Sequence, residues 1–151
     1  MKTIFLTYTI IITVFFLSSC DRDDTIKNNG QPVYLRDKTL SEIKNTVQGN
    51  WKIHYSYGGI MGNTKTLLTD SYFKVLTNDS VYLTFNNVLA VADKATFERI
   101  NTFSGYSAFA MKFSQFGGSP YSWIVDFTVG DSLVLVDNFP NGDGYIMTRI
   151  P

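Results

Sequence analysis

Gly49-Asn50-Trp51-Lys52-Ile53-His54-Tyr55-Ser56-Tyr57 sets the fold class of this chain. Trp51, Ile53, Tyr55 and Tyr57 alternate with Lys52, His54 and Ser56, the period of two that marks a strand with one buried face. Just ahead, Leu40, Ile43 and Val47 fall at i, i+3 and i+7. That spacing predicts one short helix, capped by Asp37 or Thr39 and stopped at Gly49. Beyond Tyr57 the chain stays β-rich. Alternation predicts strands over 71–77, 80–86, 94–103, 106–115, 121–129, 132–137 and 145–150, punctuated by Asn78-Asp79, Ser104-Gly105 and Gly130-Asp131. The expected fold is all-β, an antiparallel meander of about eight strands closing as a barrel after one short helix, with a β-sandwich as the alternative. Closure has a physical motive, because it removes the unpaired edges that would otherwise recruit other chains.

The other end of the chain speaks of location. Lys2 precedes an apolar run from Ile4 to Leu17, and Leu17-Ser18-Ser19-Cys20 ends it. A charged start, a short apolar body and small residues make a secretory leader, and the run is shorter than the roughly 20 apolar residues a spanning helix wants. Leucine, two small residues and cysteine resemble the lipobox of bacterial lipoproteins. The resemblance implies removal of residues 1–19, lipid on Cys20 and attachment to a membrane through acyl chains. Each buried CH₂ contributes about 0.8 kcal/mol, so several chains hold where one holds only marginally. Asp21-Arg22-Asp23-Asp24 resembles the acidic tag of surface-exposed lipoproteins in some Gram-negative groups, interrupted by Arg22. The expected location is the outer membrane of a Gram-negative bacterium, either surface-exposed or facing the periplasm. Residues 20–36, polar and aperiodic, are expected to form a flexible tether. Residues 37–151 are expected to form the folded domain.

Charge and cysteine content narrow the chemistry. Cys20 is the only cysteine, so the domain has no disulfide and no thiolate metal site. Loss of residues 1–19 removes one of 13 cations, Lys2, and none of 13 anions, leaving a formal charge of −1. The charges are scattered and form no basic face, which argues against a nucleic-acid partner. His54 is the only histidine, and its parity opposes Trp51. A lone outward histidine makes neither a zinc site nor a triad. No pair of carboxylates is forced together, and Asp137–Gly144 lacks calcium-loop spacing. The expectation is a monomer that is not an enzyme and uses no cofactor or metal.

Gly49-Asn50-Trp51, opening the first strand after a short helix, resembles the Gly-x-Trp signature of lipocalins and their bacterial relatives. In that family a basic residue near the C-terminus lies over the tryptophan. The resemblance implies that Arg149 does so here and that Gly49, Trp51 and Arg149 close the barrel floor. The family's middle signature has no clear match, since Thr69-Asp70-Ser71-Tyr72 comes too early. The interior of such a barrel would be lined by Tyr55, Tyr57, Phe73, Phe85, Phe109, Met111, Phe113, Trp123, Phe127 and Met147. In a small barrel these either surround a ligand or fill the core. Two functions follow. One is burial of a small hydrophobic molecule, with hydrogen bonds from Tyr55, Tyr57 or Tyr121. The other is an interaction module with a filled core, meeting an envelope protein, glycan or host molecule through loops at 58–65 and 117–121. Asp24-Thr25-Ile26, Asp79-Ser80-Val81 and Asp131-Ser132-Leu133 resemble an O-glycosylation acceptor of the same bacteria, and Asp-Ser is equally plain turn chemistry. Cys20→Ala should leave an uncleaved precursor that takes up no labelled palmitate in the producing cell; persistent labelling would refute the lipid anchor.

Overall fold

The computed structural model describes residues 30–58, 64–114, 121–139 and 142–151. The leader 1–19, Cys20, the tether up to residue 29, most of the 58–65 loop and all but the last residue of the 117–121 loop lie outside them. A two-residue strand β1 (Val33–Tyr34) precedes helix α1 (Leu40–Val47). Nine strands follow: β2 (Gly49–Gly58), β3 (Thr64–Val75), β4 (Ser80–Phe85), β5 (Val88–Lys94), β6 (Thr96–Asn101), β7 (Ser107–Phe113), β8 (Tyr121–Val129), β9 (Ser132–Asp137) and β10 (Gly144–Ile150). They form one antiparallel sheet in the order β5-β4-β3-β2-β10-β9-β8-β7-β6, with β1 added beside β8. The sheet curls into a half-barrel. The all-β meander after a short helix is therefore the fold, and two stacked sheets are not.

Sequence alternation missed β5 and began β3 seven residues late. Asn86 and Asn87, both at positive φ (49° and 63°), make the tight turn that sends the chain back along β4. Following strand directions through the antiparallel ladders, β5 and β6 run the same way and are joined by Ala95 alone. They are two halves of one kinked strand, the first paired to β4 and the second to β7. Counted so, the meander has eight strands. An even number is what lets its first and last long strands, β2 and β10, meet antiparallel. The two halves share no ladder with each other and leave a seam. The Asp93 carboxylate crosses it by accepting the Ser114 N–H at 2.6 Å. That hydrogen bond is the main reason the Asp93 carboxyl titrates below its usual range.

The concave face holds the core. Phe73, Ile53, Leu83, Met111, Trp123, Leu133, Leu135 and Met147 are wholly buried there, with Phe113 at 3% exposure. Phe85 and Phe109 are partly buried against the same cluster. Three expected lining residues point the other way, and β-bulges are the reason. In β2 the register against β10 slips between Ile53, opposite Met147, and Tyr55, opposite Ile146. Met147 and Tyr145 belong to the core, so Ile146 between them faces outward, and Tyr55 and Tyr57 face outward with it. In β8 the register slips between Val125 and Phe127. Phe127 then opposes Val134, which lies between the core residues Leu133 and Leu135 and so faces outward. The Phe127 ring meets Tyr34 of β1 at 5.8 Å on that outer face.

The tether expected over 20–36 ends sooner. Val33 and Tyr34 pair with Thr128 and Phe127, Leu35 is buried, and its N–H donates to the Asp126 carbonyl at 2.8 Å. Arg36 lies over the rings of Tyr34 and Tyr106, at 4.5 and 5.0 Å from their centroids. Arg99 holds the next turn by donating to the carbonyls of Arg36 and Lys38. The folded unit therefore begins before Asp37.

Helix α1 closes the base. Thr39 is its N-cap, in a reciprocal capping box with Glu42. Ile43 and Val47 bury its inner face. Its C-terminal carbonyls lack helical partners, as at any helix end. Here Trp51 Nε1 donates to the Val47 carbonyl at 2.8 Å, and Arg149 donates to those of Gln48 at 2.7 Å and Thr46 at 3.0 Å. Arg149 pairs with Trp51 across β2 and β10, its guanidinium carbon 4.3 Å from the indole centroid. Gly49 sits at φ 130°, and a Cβ there would collide with that guanidinium. Trp51→Ala should cost roughly 3–5 kcal/mol in urea unfolding through the cavity it leaves. Arg149→Ala should cost about 1–2 kcal/mol. The double variant should lose clearly less than the two together, because residues in contact couple; strict additivity would show that the stack contributes nothing.

Candidate functional site

The curled sheet has two unlike ends. The base carries α1 and the turns after β3 and β8. The opposite end carries the β4–β5 turn and the points where β8 and β10 begin and β9 ends. Toward the base the concave side is solid with wholly buried side chains. Toward the open end it becomes aromatic, with partly exposed rings at the rim. Trp123 lies 4.8 Å from Tyr145, 5.5 Å from Tyr121 and 5.2 Å from Phe113, measured between ring centroids. Phe85 reaches Tyr145 from across the barrel at 6.3 Å. Phe85 and Tyr121 remain partly exposed, while Tyr145 at 9% is nearly covered and Trp123 is wholly buried, so the ring surface open to a ligand is that of Phe85 and Tyr121. Of the residues predicted to line a cavity, Phe85, Phe113 and Trp123 belong here. Phe73, Met111 and Met147 fill the core below, while Phe109 lies toward the side with Arg99 over its ring at 4.5 Å.

Asp137 completes the group, and sequence reasoning missed it. Leu133, Leu135 and Asp137 share one parity of β9, so an acid follows two core leucines onto the concave face. That alternation is legible in the predicted strand 132–137, whose last residue also opens the loop Asp137–Gly144. Asp137 opposes Trp123 across the ladder. Burial, which disfavours the charged form, pushes its carboxyl up to about 6. The Asp143 N–H works against the rise, the Asp143 charge adds to it and the Trp123 indole opposes it. The indole N–H is itself buried and makes no hydrogen bond among the described residues, although the carboxylate lies near enough to feel it. Burial and then the Asp137 charge also raise the hydroxyl of Tyr121, and burial with both acids raises that of Tyr145, so both stay protonated at neutral pH.

Two other places carry chemistry. On the outer face Tyr106 donates to Asp126 at 3.2 Å, and burial followed by the Asp126 charge pushes the Tyr57 hydroxyl up to about 12. Tyr57 lies so close over Gly144 that a Cβ there would enter its ring. This cluster holds β1 and the bulge of β8 in place. Beside the seam an open groove of about 470 Å³ lies between α1 and the Ala95 kink, lined by Leu40, Lys44, Asp79, Lys94 and Phe97 among others. Its Lys44 is committed to Asp79 at 2.6 Å and lies 5.2 Å from the Phe97 centroid. His54 Nε2 lies 2.7 Å from Thr148 Oγ1 on the outer face. Among the described residues no three His, Cys, Asp or Glu side chains gather as metal ligands.

Comparisons with protein-family models, curated proteins and solved structures found no match to this chain. The open end is thus defined by its own geometry, and Asp137 is its most unusual member. An acid whose carboxyl titrates higher in the folded than in the unfolded chain favours folding only while protonated. Stability is therefore lost as pH rises from about 4 to about 6, and the penalty is complete above that. Asp137→Asn should raise stability at pH 7 by about 1–2 kcal/mol, a figure reduced for partial exposure. The gain should disappear in unfolding curves at pH 3.5; a destabilised variant at pH 7 would refute the burial of an uncompensated charge.

Proposed function

We propose that this protein is a lipid-anchored envelope protein with a lipocalin-like half-barrel, which binds a small hydrophobic molecule at its open end. The observation that carries the reading is the gradient along the concave face. Wholly buried side chains fill the base, and above them Phe85 and Tyr121 are only partly buried, beside the nearly covered ring of Tyr145. Partly buried aromatics on a rigid sheet gain contact with a ligand at little ordering cost, since the sheet already fixes their backbone. The lipocalin-like assignment draws on Gly49, Trp51 and Arg149 at the floor, and the anchor draws on Leu17–Cys20. The solid base argues for a shallow site and against a deep central cavity.

A second reading, docking to a partner protein, has one observation in its favour. Phe103 and Phe139 are 69% and 65% exposed, and Asn138 ties their loops together by accepting the Phe103 N–H at 3.2 Å. Exposed aromatics on adjoining loops suit a protein interface. Fluorescence titration with the neutral probe N-phenyl-1-naphthylamine separates the two. Tyr145→Ala and Phe85→Ala should each weaken probe binding about five- to tenfold, the effect of roughly 1–1.4 kcal/mol of lost contact. Phe103→Ser and Phe139→Ser should leave it unchanged. Equal binding by all four variants would remove the open end as the ligand site.

A further inference from the structure

We propose that the open end selects a cation, an ammonium group carried on a small apolar body, with Asp137 as its counter-ion and Tyr121 and Tyr145 as the ring faces beside it. This rests on the open end being the ligand site. Asp137 faces the concave side at the level of Trp123, where the rings of Tyr121 and Tyr145 also lie. The described residues supply no positive charge there. Among the described residues three ion pairs form, Lys38–Glu42, Lys44–Asp79 and Lys112–Glu98, and none includes Asp137 or Asp143. Lys65, near the open end, lies over the outward ring of Tyr55 at 4.3 Å. The intervening segments 59–63, 115–120 and 140–141 contain no lysine or arginine.

A half-buried carboxylate without a counter-ion among the described residues is costly to keep, and the neighbouring Trp123 indole, which makes no hydrogen bond among them, offsets its charge only in part. A bound cation would relieve that cost. It would pair with the carboxylate, and its apolar substituents would cover the ring faces, where the aromatic quadrupole attracts positive charge. An anion would meet Asp137 and Asp143 together and be repelled. A hard metal ion would find two carboxylates where it wants six or more oxygens. A neutral apolar molecule would gain the rings but leave the carboxylate uncompensated.

The test uses the full-length protein purified in detergent and three probes of similar size, titrated by tryptophan fluorescence. Benzyltrimethylammonium should bind about tenfold more tightly than its neutral isostere neopentylbenzene at pH 7.5, as an ion pair joined to a ring contact requires. Phenylacetate should bind most weakly. The preference for the cation should fade as the pH falls through 6 toward 5, where Asp137 takes up a proton. The other titratable groups facing Asp137 are Asp143, Tyr121 and Tyr145. Asp143→Asn should keep the pH dependence, and Asp137→Asn should abolish both it and the cation preference while still binding neopentylbenzene. Retained neopentylbenzene binding also shows that the variant is folded. If neopentylbenzene binds but the cation gains nothing over it, or if Asp137→Asn keeps the preference, the cation assignment falls and the open-end site stands. If no probe binds, both fall together.

Discussion

The guanidinium of Arg149 does two jobs at one point. It lies 4.3 Å over the Trp51 indole and donates to two carbonyls at the end of α1. A helix of eight residues is too short to stand alone in water. Its C-terminal end carries partial negative charge, so a cation there is doubly favourable. Trp51 takes a third carbonyl, and Gly49 keeps the space clear. The first long strand, the last strand and the helix are thereby fixed to one another, and the curl of the sheet between them is fixed as well. Everything at the open end inherits its rigidity from this floor.

Much of that floor was readable from Gly49-Asn50-Trp51 and from Arg149 near the C-terminus, because a meander with an even number of strands brings its ends together. The helix and most strands followed from periodicity. The failures share a cause. Alternation assumes an unbroken pleat, and bulges break it. One slip in β2 turned Tyr55 and Tyr57 outward, and one in β8 turned Phe127 outward. No residue type announces a bulge, because it is set by the fit of neighbouring strands. Strand β5 is hidden in the sequence because Ala90 and Ala92 blunt its alternation, and the turn before it shows in the positive φ of Asn86 and Asn87.

The open end was half-legible. Phe85, Phe113 and Trp123 lay on the right parity, and Tyr145 was passed over although it shares the face of Met147. Asp137 was the residue most easily found and most easily dismissed. Its sign was an acid on a core-facing position, and an inward acid signals function more often than packing does, because packing alone would place an apolar residue there.

The way β2 and β10 meet also bears on when the molecule acquires its shape. Most ladders join strands adjacent in the chain, so they close short loops. Two do not: β1 pairs with β8, and β2 with β10. Arg149 and Gln48, which share a hydrogen bond at the floor, are 101 residues apart. Long-range contacts carry the largest loop-closure cost and form late. The segment made first must therefore wait for the segment made last. Strand β2 can take β3 as soon as that is made, but its other edge stays open until β10 is complete, and β1 waits for β8. Contacts that form late chiefly govern how slowly the native state comes apart. The stacked guanidinium and indole thus act as a clasp on the lifetime of the folded domain.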